Sequence, residues 1–128
     1  MKRIFLILGL ISFLLSGNVQ AQLPKNRTAS TIVADALSQL PAPSPRQFNL
    51  MMADLVTSGE EGILQLVQMM NPAEKGNNAQ VEFALNGWTN YSARYPKHRP
   101  MTAGAYLKAL SRTNNTYIKS FIISQMEL

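Results

Sequence analysis

The sequence predicts an all-α chain whose helices fold back in antiparallel pairs and stack as a short α-solenoid. Three features point there. Apolar residues recur at helical spacing in one segment after another from Thr28 onward. Helix-start signals precede several of these segments, Ser44-Pro45 most clearly. The chain also matches itself at an offset of 33 residues.

Met1-Lys2-Arg3 is a compact basic start that runs into an apolar stretch from Ile4 to Leu15, too short to span a bilayer. Ser16-Gly17-Asn18 loosens the helix, and Val19-Gln20-Ala21 offers the small side chains a signal peptidase accepts. Residues 1–21 therefore read as a cleavable signal peptide, with cleavage after Ala21 and a periplasmic or secreted product. Cysteine is absent, so lipid attachment at the cleavage point, a disulfide framework and a thiolate metal site are all excluded. Residues 22–27, with Pro24, form a flexible leader, and residues 28–128 form one small helical domain.

Within that domain, Ile32, Val33, Ala36, Leu37 and Leu40 define a first helix, capped by Thr28 or Ser30 and stopped at Pro41. The prolines of Pro41-Ala42-Pro43-Ser44-Pro45 stiffen the connector, because they lack backbone donors and hold preceding residues extended. Ser44 then caps a helix with Pro45 at its first position, and Phe48, Met51, Met52, Leu55 and Val56 make one apolar stripe. Ser58-Gly59-Glu60-Glu61 reads as a capping box for a third helix through Ile63, Leu64, Leu66, Val67 and Met70, ended by Asn71-Pro72. So short a turn folds the second and third helices into an antiparallel hairpin.

Asn77 or Asn78 caps a longer helix carrying Val81, Ala84, Leu85 and Trp88, with Tyr91 or Ser92 continuing the stripe. Tyr95 to Pro100 is a break bounded by prolines. Met101 to Arg112 is helical through Met101, Ala105, Leu107 and Leu110, and a last helix starts near Asn114-Asn115 with Tyr117, Ile118, Phe121, Ile122 and Met126.

Phe48, Met51, Met52 and Leu55 superpose on Val81, Ala84, Leu85 and Trp88 at the 33-residue offset. A further offset of 37 brings Ile118, Phe121 and Ile122 onto the same positions, where Gln125 departs from the apolar pattern. Repeats of this size with a helix pair per unit mark an α-solenoid. The segment from Ser58 to Val67 resembles the second helix of a HEAT repeat, and Thr28 to Leu85 resembles the amino-terminal part of secreted HEAT-repeat proteins of Bacteroides-like bacteria. The resemblance implies a HEAT-like scaffold for protein-protein interaction. It also implies further repeats, and the third pair lacks its second helix: either the chain is a truncated or amino-terminal fragment, or the last helix is expected to find its partner on another molecule, self-association included.

The formal charge is +5, falling to +3 once Lys2 and Arg3 leave with the signal, and the basic residues read as scattered, which argues against a nucleic-acid partner. His98 is the lone histidine, with no carboxylate near it in sequence to orient it as a base. Glu60 and Glu61 are adjacent and point about a hundred degrees apart on a helix, so they cannot face each other as acid and base. Asp35, Asp54, Glu74, Glu82 and Glu127 are too dispersed to hold a metal, and neither a nucleophile elbow nor a phosphate loop occurs. No cofactor is expected. Met51, Met52, Met69 and Met70 face the expected core, and Trp88, Tyr91 and Tyr95 form a ladder with Tyr95 at its exposed end.

The expected function is thus an exported, non-enzymatic scaffold whose partner-binding candidates are Arg94, Tyr95, Lys97, His98 and Arg99. Two alternatives are a helical bundle that holds an apolar ligand between its helices, and the non-catalytic amino-terminal part of a larger enzyme.

Overall fold

The computed structural model describes residues 26–73 and 75–128, so the signal-peptide reading of residues 1–21 and the leader up to Lys25 lie outside the described residues. Helices run in the order α1 (Ala29–Ser38), α2 (Pro45–Leu55), α3 (Gly59–Gln68), α4 (Ala79–Arg94), α5 (Arg99–Ser111) and α6 (Thr116–Met126). Short 3-10 turns at Val56–Ser58 and Pro96–His98 lead into α3 and α5. No strand occurs among the described residues.

Local chemistry sets most of the starts. The Thr28 hydroxyl accepts from the Thr31 N–H at 3.2 Å, Ser44 accepts from Gln47 at 3.2 Å with Pro45 in the first turn, and Asn115 accepts from Ile118 at 3.0 Å. At α3 the expected capping box does not form. Ser58 belongs to the 3-10 turn, and its hydroxyl donates back to the Leu55 carbonyl at 2.6 Å. Gly59 takes a φ of +66°, a conformation open to a residue without Cβ, and starts the helix instead. Glu60 and Glu61 still occupy the first turn, where the helix dipole favours them. At α4 the two asparagines divide the work: Asn77 accepts from the Ala79 N–H at 2.8 Å, while Asn78 turns to Asn71. The Tyr95–Pro100 break is shorter than expected, because Pro100 fits the first turn of α5, where its missing N–H costs nothing.

α3 lies between α1 and α5, and α4 packs chiefly on α2 while touching α1, α3, α5 and α6 as well. The principal neighbours of α3 are thus α1 and α5 rather than α2, from which the Val56–Ser58 turn carries the chain away. Val33, Leu55, Ile63, Leu66, Leu85, Trp88 and Ile122 are fully buried at the centre. Gly87 permits the close approach of α4 to α2, since a Cβ there would stand 2.5 Å from Phe48 Cζ and 2.8 Å from Met52 Sδ.

Four residues of the expected apolar faces stand exposed, Tyr117 and Met126 on α6 together with Met69 and Leu107. Met69 is 47% exposed, because the C-cap of α3 turns it outward while Met70 turns in. Leu107 is 56% exposed: the buried face of α5 is made of Thr102, Ala105, Tyr106 and Ala109. At the amino-terminal edge, the Arg27 guanidinium bridges Asp35 at 3.1 Å and Asp54, tying the end of the leader to α1 and α2. Both contacts raise its pKa from the ordinary arginine value, the Asp54 hydrogen bond most.

Candidate functional site

The end of α4 and the start of α5 meet at a sharp corner that gathers the five residues singled out in the sequence. Tyr91 is its centre. The Tyr91 ring stacks obliquely on Tyr95 at 4.5 Å and on His98 at 5.5 Å, which locks the 3-10 turn between them. Arg94 reaches across to α2, where Nη1 donates to Asn49 Oδ1 at 3.4 Å. Arg99 folds back on α4, and its Nη2 donates to the Ala93 carbonyl at 2.9 Å, a C-terminal carbonyl with no helical partner to take it. Lys97 projects into solvent. Tyr95 and His98 are brought together through Tyr91, whereas Arg94 and Arg99 are held apart on the two sides of the corner.

The cations that read as scattered are set apart from the acids along the sequence. From Phe83 to Met126 there is no aspartate or glutamate, while Arg94, Lys97, Arg99, Lys108, Arg112 and Lys119 all fall in that stretch. Among the described residues only Lys108 of this set is ion-paired, to Glu60 at 2.6 Å. The cations of the corner therefore have their attraction unspent.

Beneath the corner lies a feature the sequence reading missed, a buried polar network joining α4, α5 and α6. The indole N–H of Trp88 donates to Thr102 Oγ1 at 3.1 Å, and Thr102 Oγ1 lies 2.8 Å from Ser92 Oγ. One turn away, Thr89 Oγ1 is 2.7 Å from the Tyr106 phenol and donates to Gln125 Oε1 at 2.6 Å. Gln125 passes the chain on, donating from Nε2 to Asn86 Oδ1. Burial pushes the Tyr106 phenol well above its usual pKa, so it stays a neutral donor. The one signal in the sequence was Gln125, a polar residue standing on an apolar stripe.

The network floors a cleft of about 270 Å³ between the three helices, with Arg99 at its rim and Met126 and Leu128 as an apolar lip. A second cleft of about 240 Å³, between α3, α5 and α6, is lined by Leu64, Val67, Met70 and Ile118 with Glu61 and Arg112 at its edge. No helix among the described residues is long and apolar enough to cross a membrane. No protein-family model, curated protein or solved structure matches the chain.

Proposed function

We propose that this chain is an exported, non-enzymatic scaffold of HEAT type that binds a protein partner carrying an acidic segment. The corner of Arg94, Tyr95, Lys97, His98 and Arg99 is the docking surface. What carries the reading is the pairing of exposed cations without carboxylate partners with a rigid aromatic cluster. A fixed surface of that kind attracts an anionic chain and gives it a ring face to lie on.

Two further features support the repeat. α2, α4 and α6 are the three helices aligned by the internal match, and they neighbour one another in that order. α1, α3 and α5 do the same, which is how helix pairs stack in a solenoid. Export rests on the basic and apolar start of the sequence and places the partner in the periplasm or outside the cell.

A photo-crosslinking residue in place of Tyr95, in the protein expressed with its own leader, tests the reading. The expected product starts at Gln22 by mass spectrometry and forms a discrete adduct with a protein, and R94E/K97E abolishes that adduct. An adduct indifferent to charge reversal overturns the docking surface. Retention of residues 1–21 overturns the export.

The apolar lining of the cleft between α3, α5 and α6 favours a second reading, a bundle that holds a small apolar ligand there. A lipid or other apolar molecule co-purifying with the protein in native mass spectrometry would select it.

A further inference from the structure

The polar floor of the cleft between α4, α5 and α6 can be counted proton by proton. In the group of Trp88, Ser92 and Thr102 there are three donor hydrogens: the indole N–H and two hydroxyls. The indole proton goes to Thr102 Oγ1. One hydroxyl proton lies between Ser92 and Thr102, whichever of the two donates. The third has no acceptor within bonding distance among the described residues, although Ser92 is only 3% and Thr102 only 5% exposed. The neighbouring group closes without remainder, because Tyr106 donates to Thr89 and Thr89 donates to Gln125.

A hydroxyl proton with no protein acceptor, on the wall of an open cleft, can be donated to the oxygen of a ligand there. Ser92 and Thr102 both line the cleft, and so does Arg99. Arg99 is held by the Ala93 carbonyl through one nitrogen and has no carboxylate partner among the described residues, which leaves further N–H donors available. The cleft therefore presents an excess of donors and one positive charge, and its own carboxamide acceptor is already taken.

We infer that this cleft binds a carboxylate, with one oxygen on the leftover hydroxyl proton and the other on the Arg99 guanidinium. One positive charge matches one negative charge, whereas a phosphate dianion would be under-compensated. The lip formed by Met126 and Leu128 with Ala103 suits the hydrocarbon that carries the group, and 270 Å³ holds a short side chain or a small acid. The carboxylate comes either from a free acid or from an acidic side chain of a peptide. The inference shares Arg99 with the docking surface proposed above and needs none of Arg94, Tyr95, Lys97 and His98.

Trp88 supplies the reporter, because it is the only tryptophan and its N–H is bonded to the hydroxyl pair in question. The test follows the Trp88 indole resonance by NMR during titration with sodium butyrate, with a capped hexaglutamate peptide, and with inorganic phosphate at matched ionic strength. A saturable shift with butyrate assigns the site to free acids, and a shift with the peptide alone assigns it to an acidic side chain. Either must weaken about ten-fold in R99Q, the loss expected for one charge-assisted hydrogen bond, and change less than about two-fold in K119Q, which removes a cation outside both the cleft lining and the corner. No saturable movement of the indole with either carboxylate, equal binding in R99Q, or phosphate binding more tightly than both overturns the inference.

Discussion

The phenol oxygen of Tyr106 lies 2.7 Å from Thr89 Oγ1, and through that one contact α5 is joined to α4 and, by way of Gln125, to α6. Three helices thus share a polar seam inside an otherwise apolar core. Y106F keeps the ring and deletes the hydroxyl, and is expected to lower the unfolding free energy by about 1 kcal/mol in urea titration. Burial raises the Tyr106 pKa above its ordinary value of 10.0. Its stabilising share is therefore complete below pH 10, where the phenol is neutral in both states, and is lost as rising pH ionises the unfolded chain first. The wild type should lose stability above pH 10 more steeply than Y106F does.

Thr102 accepts the indole proton of Trp88 and faces Ser92, so T102V strands the buried indole N–H and removes the hydroxyl partner of Ser92. A loss of about 2 kcal/mol or more is expected, against less than about 1 kcal/mol for T102S, which retains the hydroxyl. Unfolding followed by the fluorescence of Trp88 reads both.

Glycine substitutions separate packing from helix propensity. G87A places a Cβ within 2.5 Å of Phe48 and 2.8 Å of Met52, and should destabilise by about 1–3 kcal/mol despite the better helix former. G104A meets nothing within 4 Å on the exposed side of α5 and should stabilise by about 0.5–1 kcal/mol. Thermal unfolding of the pair should move in opposite directions.

Asn78 is buried and grips Asn71 at both ends of its peptide, accepting from the N–H and donating to the carbonyl, each at 2.7 Å. N78A breaks both bonds and should cost about 1–3 kcal/mol, with faster hydrogen exchange at Asn71. N78D keeps the acceptor and removes the donor, so its exchange rate should fall between the two.

Arg27 joins the leader to Asp35 on α1 and Asp54 on α2. R27A should leave the core intact while raising hydrogen exchange in the first turn of α1, and added salt should reproduce much of that change in the wild type. Equal protection in variant and wild type would show that the clip holds nothing.

Much of the fold was legible because local chemistry and hydrophobic period agree. Ser44 caps where its spacing predicts, Thr28 takes the cap left open between it and Ser30, the last helix starts at the expected asparagines, and the stripes from Ile32, Met51, Ala84 and Ile118 face the core. Failures came where two local options compete. Ser58 has the spacing of a cap, yet the positive φ of Gly59 sets the helix start and frees the serine to bond backwards. On α5 the reading weighted Met101 and Leu107 by hydrophobicity, whereas the buried positions went to Thr102, Tyr106 and small alanines that let neighbouring helices come close. The corner residues were singled out by their charge and the flanking prolines. The network beneath them was not, because Thr89, Thr102 and Tyr106 lie on different helices and only tertiary packing makes them neighbours.

The run from Phe83 to Met126 without an acidic residue has one more consequence. With Asp35, Asp54, Glu60 and Glu82 all lying earlier in the chain, α5 and α6 carry cations and no carboxylate of their own. An acidic partner of the kind proposed would be drawn toward these helices before contact. Ionic strength should accordingly slow encounter far more than it hastens departure.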